Sequence, residues 1–102
     1  MKILDLFSGG GGAAYGYIAA GFEVVGVDNR KMPNYPGEHH VDDALEFLRA
    51  NWQDFDAVHG SPPCPLFSVI TRQSGSSNKH PDLLNPLRDI LCGLPIPWVI
   101  EN

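Results

Sequence analysis

Basic charge is in short supply in this sequence. Seven Lys and Arg against twelve Asp and Glu leave a net charge of −5. That balance argues against a free-standing nucleic-acid-binding protein, because phosphate contacts need a basic surface. Cysteine is scarce as well: Cys64 and Cys92 form no CxxC pair, which excludes a thiolate zinc site. His39-His40 lacks further ligands at suitable spacing and reads as a solvated loop, so no metal is expected. No apolar run approaches the roughly 20 residues of a membrane span, which excludes a membrane partner. Asp5 falls too early for a signal peptide, so a cytoplasmic location with reduced thiols is expected. Internal repeats and interdomain linkers are missing too. The remaining composition, 43% hydrophobic and 19% charged over 102 residues, is that of one globular domain with a modest core.

Glycine and proline punctuate the chain into short elements. Lys2–Phe7 is an apolar run that stops at Ser8 and four consecutive glycines. Ala13–Ala20 is helix-compatible, with Gly21 as its stop. Phe22–Val27 is a second β-branched run, ended by Asp28. Residues 29 to 40 contain Pro33, Pro36 and Gly37 and are expected to form a loop. A helix should begin at Asp42, with two acids in its first turn and Leu45, Leu48 and Trp52 on one face. Asp56–His59 reads as a third strand and is followed by Gly60-Ser61-Pro62-Pro63-Cys64-Pro65. Residues 69 to 80 read as a loop. Pro81–Cys92 is helical in pattern, with Asn85 as a candidate cap before Pro86, and Gly93 ends it. Pro97–Ile100 is a fourth strand.

Strands that alternate with helices imply an α/β fold: a partial doubly wound parallel sheet of about four strands. Ligands of such sheets bind beyond the carboxyl ends of the strands. Those ends carry Phe7-Ser8-Gly9-Gly10-Gly11-Gly12, Asp28, the Cys64 turn and Glu101. The glycine run allows backbone N–H groups to approach a ligand at a helix start, and Asp28 can accept bonds from ribose hydroxyls. Together they describe a site for an adenosine-containing cofactor. Gly9-x-Gly11-x-x-Ala14 also fits the loose dinucleotide pattern, so a nicotinamide or flavin cofactor stays open. In Asp42-Asp43, one acid should cap the helix while the other can accept a bond from the exocyclic amine of adenine. Cys64 sits among three prolines, each fixing φ and removing a donor. An incidental cysteine in a surface loop would look the same locally. The gathering of every distinctive residue at one sheet edge favours a nucleophile. Between Asp56 and Asp82 there is no carboxylate, while His59, Arg72, Lys79 and His80 fall inside that window. The Cys64 segment is therefore the part of the chain suited to lie against an anion.

Asp5-Leu-Phe-Ser-Gly-Gly-Gly-Gly12, Gly26-Val-Asp28, Pro62-Pro-Cys64 and Glu101-Asn102 stand in an order that resembles the opening motifs of DNA cytosine-5 methyltransferases. The resemblance covers all 102 residues and corresponds to the N-terminal part of that family's catalytic domain, the first half of an S-adenosylmethionine-dependent methyltransferase fold. It implies S-adenosylmethionine as cofactor, held by Asp5, Phe7, Ser8, Gly9, Gly11 and Gly12, with Asp28 on the ribose and Asp43 on the adenine. It implies that Cys64 attacks carbon 6 of a flipped cytosine and that Glu101 bonds the ring nitrogen and exocyclic amine. Pro63, Ser68, Arg72 and Asn102 would lie on the side of the DNA substrate, with Ser68 on a phosphate.

Two departures accompany the resemblance. Pro65 stands where the family usually has glutamine after the cysteine. The sequence also stops before the family's arginine-bearing motif and target-recognition region. A second chain supplying that half is one expectation. A non-catalytic cofactor-binding remnant and a nicotinamide-dependent enzyme are the alternatives. The choice between DNA and a transfer RNA as substrate stays open.

Overall fold

The computed structural model describes residues 1–62 and 83–101. Five parallel strands form one sheet in the order β3-β2-β1-β4-β5. They are β1 (Lys2–Leu6), β2 (Glu23–Asp28), β3 (Glu38–Val41), β4 (Ala57–Gly60) and β5 (Trp98–Ile100). Helices α1 (Gly12–Ala19), α2 (Ala44–Asn51) and α3 (Leu84–Cys92) join them, with a short 3-10 turn at Trp52–Asp54 after α2. The chain runs outward from β1 through β2 to β3, then crosses back to place β4 on the other side of β1. The order therefore reverses between β1 and β4, the place where such sheets open a crevice.

Strand alternation separates two faces. On one, Leu4, Leu6, Val25, Val27 and Val58 meet Leu48 of α2 and Leu87 and Leu91 of α3 in a closed core. Leu45 and Trp52 pack against that core at the spacing the sequence predicts. Burying one such leucine contributes about 1.5–3 kcal/mol, so Leu87 and Leu91, with Ile90 beside them, anchor α3. On the other face α1 packs through Ala14, next to Val24 and Tyr35.

Two expectations change. Residues 29 to 40 are not a loop throughout, because Glu38–Val41 pairs with β2 as a fifth strand, Val25 opposite Glu38 and Asp28 opposite Val41. The link across residues 29–37 holds no helix and is shorter than the dozen or so residues of a usual parallel crossover. Tyr35 takes the covering role of a helix: its ring lies over Gly26, where any Cβ would collide with it. Asn85 is also not the cap of the last helix. Leu83 is the N-cap and α3 begins at Leu84, two residues ahead of Pro86, which falls inside its first turn.

Candidate functional site

Every strand of the central sheet ends at the same edge, and a cavity of about 520 Å³ opens there. Phe7 and Gly9 reach it from the end of β1, and Asp28 and Arg30 from the end of β2. Asp43 and Leu45 come from the start of α2, and Ser61 from the end of β4. Pockets of roughly 300–1,000 Å³ suit a nucleotide-sized molecule.

The turn after β1 is built from left-handed residues. Phe7 has φ of 56°, Gly9 of 54° and Gly11 of 97°. A non-glycine residue in this region costs of order 1–3 kcal/mol, so surrounding bonds must hold it. They do: the Ser8 amide donates to the Val27 carbonyl at 3.2 Å and the Gly11 amide to the Ser8 carbonyl at 3.2 Å. Asp28 completes the hold, its Oδ2 accepting from the Gly9 amide at 2.8 Å. The two glycines serve different needs. A Cβ at Gly9 would meet open space, whereas one at Gly11 would come within 2.5 Å of Pro36 Cδ. Gly9 therefore leaves a cradle open beside the cleft, and Gly11 allows the residue 29–37 link to close over the turn. The Ser8 hydroxyl is buried without a hydrogen-bond partner among the described residues.

Beneath the turn lies a row of buried polar groups. Asp5 of β1 stands opposite Gly26 on one side and His59 of β4 on the other. It is 1% exposed, and its Oδ2 accepts from the Tyr35 hydroxyl at 2.8 Å. Burial pushes the Asp5 carboxyl above its usual range; the Tyr35 hydrogen bond and the nearby His59 act against that rise, while Asp28 and Glu101 add to it. Burial, followed by the Asp5 charge, pushes the Tyr35 hydroxyl far above the usual tyrosine range. His59 is also buried, its Nδ1 2.7 Å from the Tyr17 hydroxyl and its Nε2 3.1 Å from Ser61 Oγ. Glu101, just past β5, brings Oε1 to 3.6 Å from the same Nε2. Its amide donates to the Gly60 carbonyl at 2.8 Å.

The predicted cofactor residues thus divide. Phe7, Gly9, Asp28 and Asp43 line the cleft, and Gly11 and Gly12 start α1 behind it. Asp5 does not reach the cleft and sits under the turn. The division of labour expected within Asp42-Asp43 changes, because Asp43, the acid expected on the adenine, is itself the cap: its Oδ1 accepts from the Glu46 amide at 3.0 Å, while Asp42 Oδ1 accepts from the Asp43 amide at 2.7 Å. Glu101 stands at the β4–β5 side, 65% of its side chain exposed. Pro63, Cys64, Ser68, Arg72 and Asn102 lie outside the described residues. Sequence reasoning missed Arg30, Tyr17 and Tyr35, and read His59 only as a strand residue in a basic window. A histidine inside the apolar run Ala57-Val58-His59 was the available signal, since an imidazole in a central strand needs partners. Among the described residues no group of three or more His, Cys, Asp or Glu could hold a metal ion, and no described helix is long and apolar enough to cross a membrane.

Comparison with known proteins follows the same lines. The family model of C-5 cytosine-specific DNA methylases matches residues 1–100. The type II methyltransferase M.AquIA of Picosynechococcus is 32% identical over 99% of the chain, which spans 48% of that protein. The type II methyltransferase M.HgiGI of Herpetosiphon aurantiacus is 29% identical over the whole chain, which covers 90% of it. Among solved structures, a SAM-dependent methyltransferase from Agrobacterium tumefaciens superposes with a TM-score of 0.52 and 26% identity, over 62% of this chain and 26% of that one.

Proposed function

Because the chain belongs to the C-5 cytosine-specific DNA methylases, we propose that it is the N-terminal part of a catalytic domain that methylates carbon 5 of cytosine in DNA. The cofactor is S-adenosylmethionine. The observation that carries the reading is the cleft itself, which collects Phe7, Gly9, Asp28 and Asp43 at the carboxyl ends of β1 and β2 and the start of α2. Its residues fit an adenosine-containing sulfonium. Asp28 keeps one carboxylate oxygen for ribose hydroxyls while the other braces Gly9. Asp43 keeps its second oxygen for the exocyclic amine of adenine while the first caps α2. The unpartnered Ser8 hydroxyl and the open side of Gly9 offer room and a polar contact beside the turn. When bound, the cofactor supplies an electrophilic methyl group.

The protein's own chemistry falls to Cys64 and Glu101. The Cys64 thiolate adds to carbon 6 of a cytosine turned out of the duplex, and the electrons of the 5,6 double bond move to carbon 5. Glu101 bonds the ring nitrogen and exocyclic amine and offsets the charge that develops on the ring. Once carbon 5 carries its methyl group, loss of the carbon-5 proton re-forms the double bond and expels the thiolate. Thiolate, not thiol, is the nucleophile, so Cys64 must be deprotonated as it attacks. Pro63, Ser68, Arg72 and Asn102 belong to the DNA side of this reaction, with Ser68 on a phosphate. A net charge of −5 fits an enzyme whose basic target-recognition surface is supplied by a further part of it.

A second reading is a subunit that completes its sheet with another chain. It is favoured by β5, a sheet-edge strand whose Val99 is 53% exposed. Such edges invite pairing. The chain made alone is then expected to self-associate, and light scattering showing a well-behaved monomer would count against it. The principal reading is tested by labelled methyl transfer to cytosine in duplex DNA, with the C-terminal half of a matched relative supplied by fusion or co-expression. Label at carbon 5 that disappears in Cys64→Ser is the expected result. Transfer that Cys64→Ser leaves unchanged overturns the covalent mechanism.

A further inference from the structure

The three residues around His59 come from parts of the chain with separate duties. Tyr17 belongs to α1, the helix that follows the glycine turn. Ser61 directly follows β4, three positions before Cys64 in the sequence, and lines the cleft. Glu101 closes β5. The imidazole is 5% exposed and touches all three, with Nδ1 2.7 Å from the Tyr17 hydroxyl, Nε2 3.1 Å from Ser61 Oγ and Nε2 3.6 Å from Glu101 Oε1. The rings of Tyr17 and His59 meet edge to face at 5.4 Å, so the hydrogen bond is backed by packing.

The partners select one tautomer. A neutral imidazole has one N–H and one lone pair. A lone pair on Nε2 would face the Glu101 carboxylate, which is unfavourable; a proton on Nε2 points a donor toward Ser61 and Glu101. Nδ1 is then the acceptor, and the Tyr17 hydroxyl must donate to it. Burial, together with the charges of Asp5 and Glu101, pushes the Tyr17 hydroxyl upward, so it keeps the proton it has to give. Asp5, directly opposite His59 in the β1–β4 register, holds its own carboxyl in the Tyr35 bond and does not compete for either ring nitrogen.

We propose that His59 is a positioning residue for Glu101 and Ser61: as the Nε2–H tautomer, set by Tyr17, it ties the carboxylate past β5 and the first residue after β4 to helix α1. Helix α1 begins at the glycine turn, so the same contact couples the cofactor side of the cleft to the side where cytosine is engaged. This rests on the methyl-transfer reading for the role of Glu101, but the contact itself does not.

Long-range nitrogen–proton NMR on the chain tests it, with His59 assigned by His59→Gln. Neutral His59 is expected as the Nε2–H form; Tyr17→Phe should remove that preference, and Glu101→Gln should shift the Nε2 resonance. An Nδ1–H tautomer, or a His59 signal indifferent to Glu101→Gln, overturns the proposal whether or not methyl transfer is ever detected. In the completed enzyme His59→Leu is expected to lower kcat roughly tenfold, the worth of about one hydrogen bond, with KM for the cofactor little changed because His59 does not line the cleft. His59→Gln, which keeps an N–H donor, should recover part of that loss. Equal loss in both variants, with KM rising in step, would mean that His59 only fills space.

Discussion

The carboxylate of Asp28 holds the amide of Gly9 at 2.8 Å, which ties the end of β2 to the turn after β1. One oxygen of the acid is spent on the protein's own backbone, and the bond keeps Gly9 at φ of 54° on the wall of the cleft. Asp28→Ala removes both the brace and the free oxygen. A hydrogen bond to a charged group contributes about 1.5–3 kcal/mol, so the dissociation constant for S-adenosylhomocysteine should rise by roughly 10- to 100-fold. Asp28→Asn keeps an acceptor for Gly9 and should fall between wild type and alanine. Calorimetric titration of the three proteins checks the order.

Asp43 carries two duties that substitution can separate. Asp43→Ala removes the cap on Glu46 and should destabilise the fold by about 0.5–2 kcal/mol. Asp43→Ser restores a capping oxygen and should recover most of that stability. Serine has no second carboxylate oxygen, so cofactor affinity should stay low in both variants. Denaturant midpoints together with calorimetry distinguish the two effects; wild-type affinity in Asp43→Ser would remove Asp43 from the adenine side of the cleft.

Gly26 and Gly16 should respond to alanine with opposite signs. At Gly26 a Cβ would fall within 2.7 Å of Tyr35 Cε2, so Gly26→Ala overpacks the second face and should cost about 1–3 kcal/mol. At Gly16, inside α1, a Cβ meets nothing within 4 Å, and Gly16→Ala should stabilise by roughly 0.5–1 kcal/mol. Urea unfolding of each variant reads the sign directly.

Asp5 predicts an unusual pH dependence. Its carboxyl is raised on folding, above 3.8, chiefly by burial. The folded state therefore holds this proton more tightly than the unfolded chain does. The stability it contributes is complete below the unfolded value and is lost as pH rises through the folded value. Asp5→Asn keeps an acceptor for the Tyr35 hydroxyl and cannot ionise. The variant should gain stability relative to wild type as pH is raised from about 4 to about 8. A difference that does not change with pH would show that Asp5 titrates as an ordinary carboxyl.

These residues also show what a reading of the sequence can reach. The β-branched runs at β1 and β2, closed by glycine or aspartate, expose themselves through local composition, as do the apolar faces of α2 and α3. Locating Phe7, Gly9 and Asp28 at one edge needed only the rule that parallel strands end together, whereas Asp43 stood out as an acid at a helix start. Strand β3 was hidden because Glu38-His39-His40-Val41 has no apolar alternation and owes its form to pairing with β2. Tyr35 was hidden by its prolines, which read as loop although its ring completes the core over Gly26. The Tyr17–His59 bond joins positions 42 residues apart, and no local pattern announces a contact of that range. The α3 start at Leu84 reflects tertiary packing of Leu87 and Leu91, which outweighed the capping signal at Asn85.

The cleft at the strand ends is the feature on which all of this depends, and ligand choice tests it most directly. Glycine turns of this kind also serve nicotinamide cofactors, so S-adenosylhomocysteine and NAD should be titrated in parallel into the wild-type chain and Asp28→Ala. Binding of S-adenosylhomocysteine at one site, weakened by Asp28→Ala, with no heat from NAD, is the predicted result. Binding of NAD with none of S-adenosylhomocysteine would contradict it.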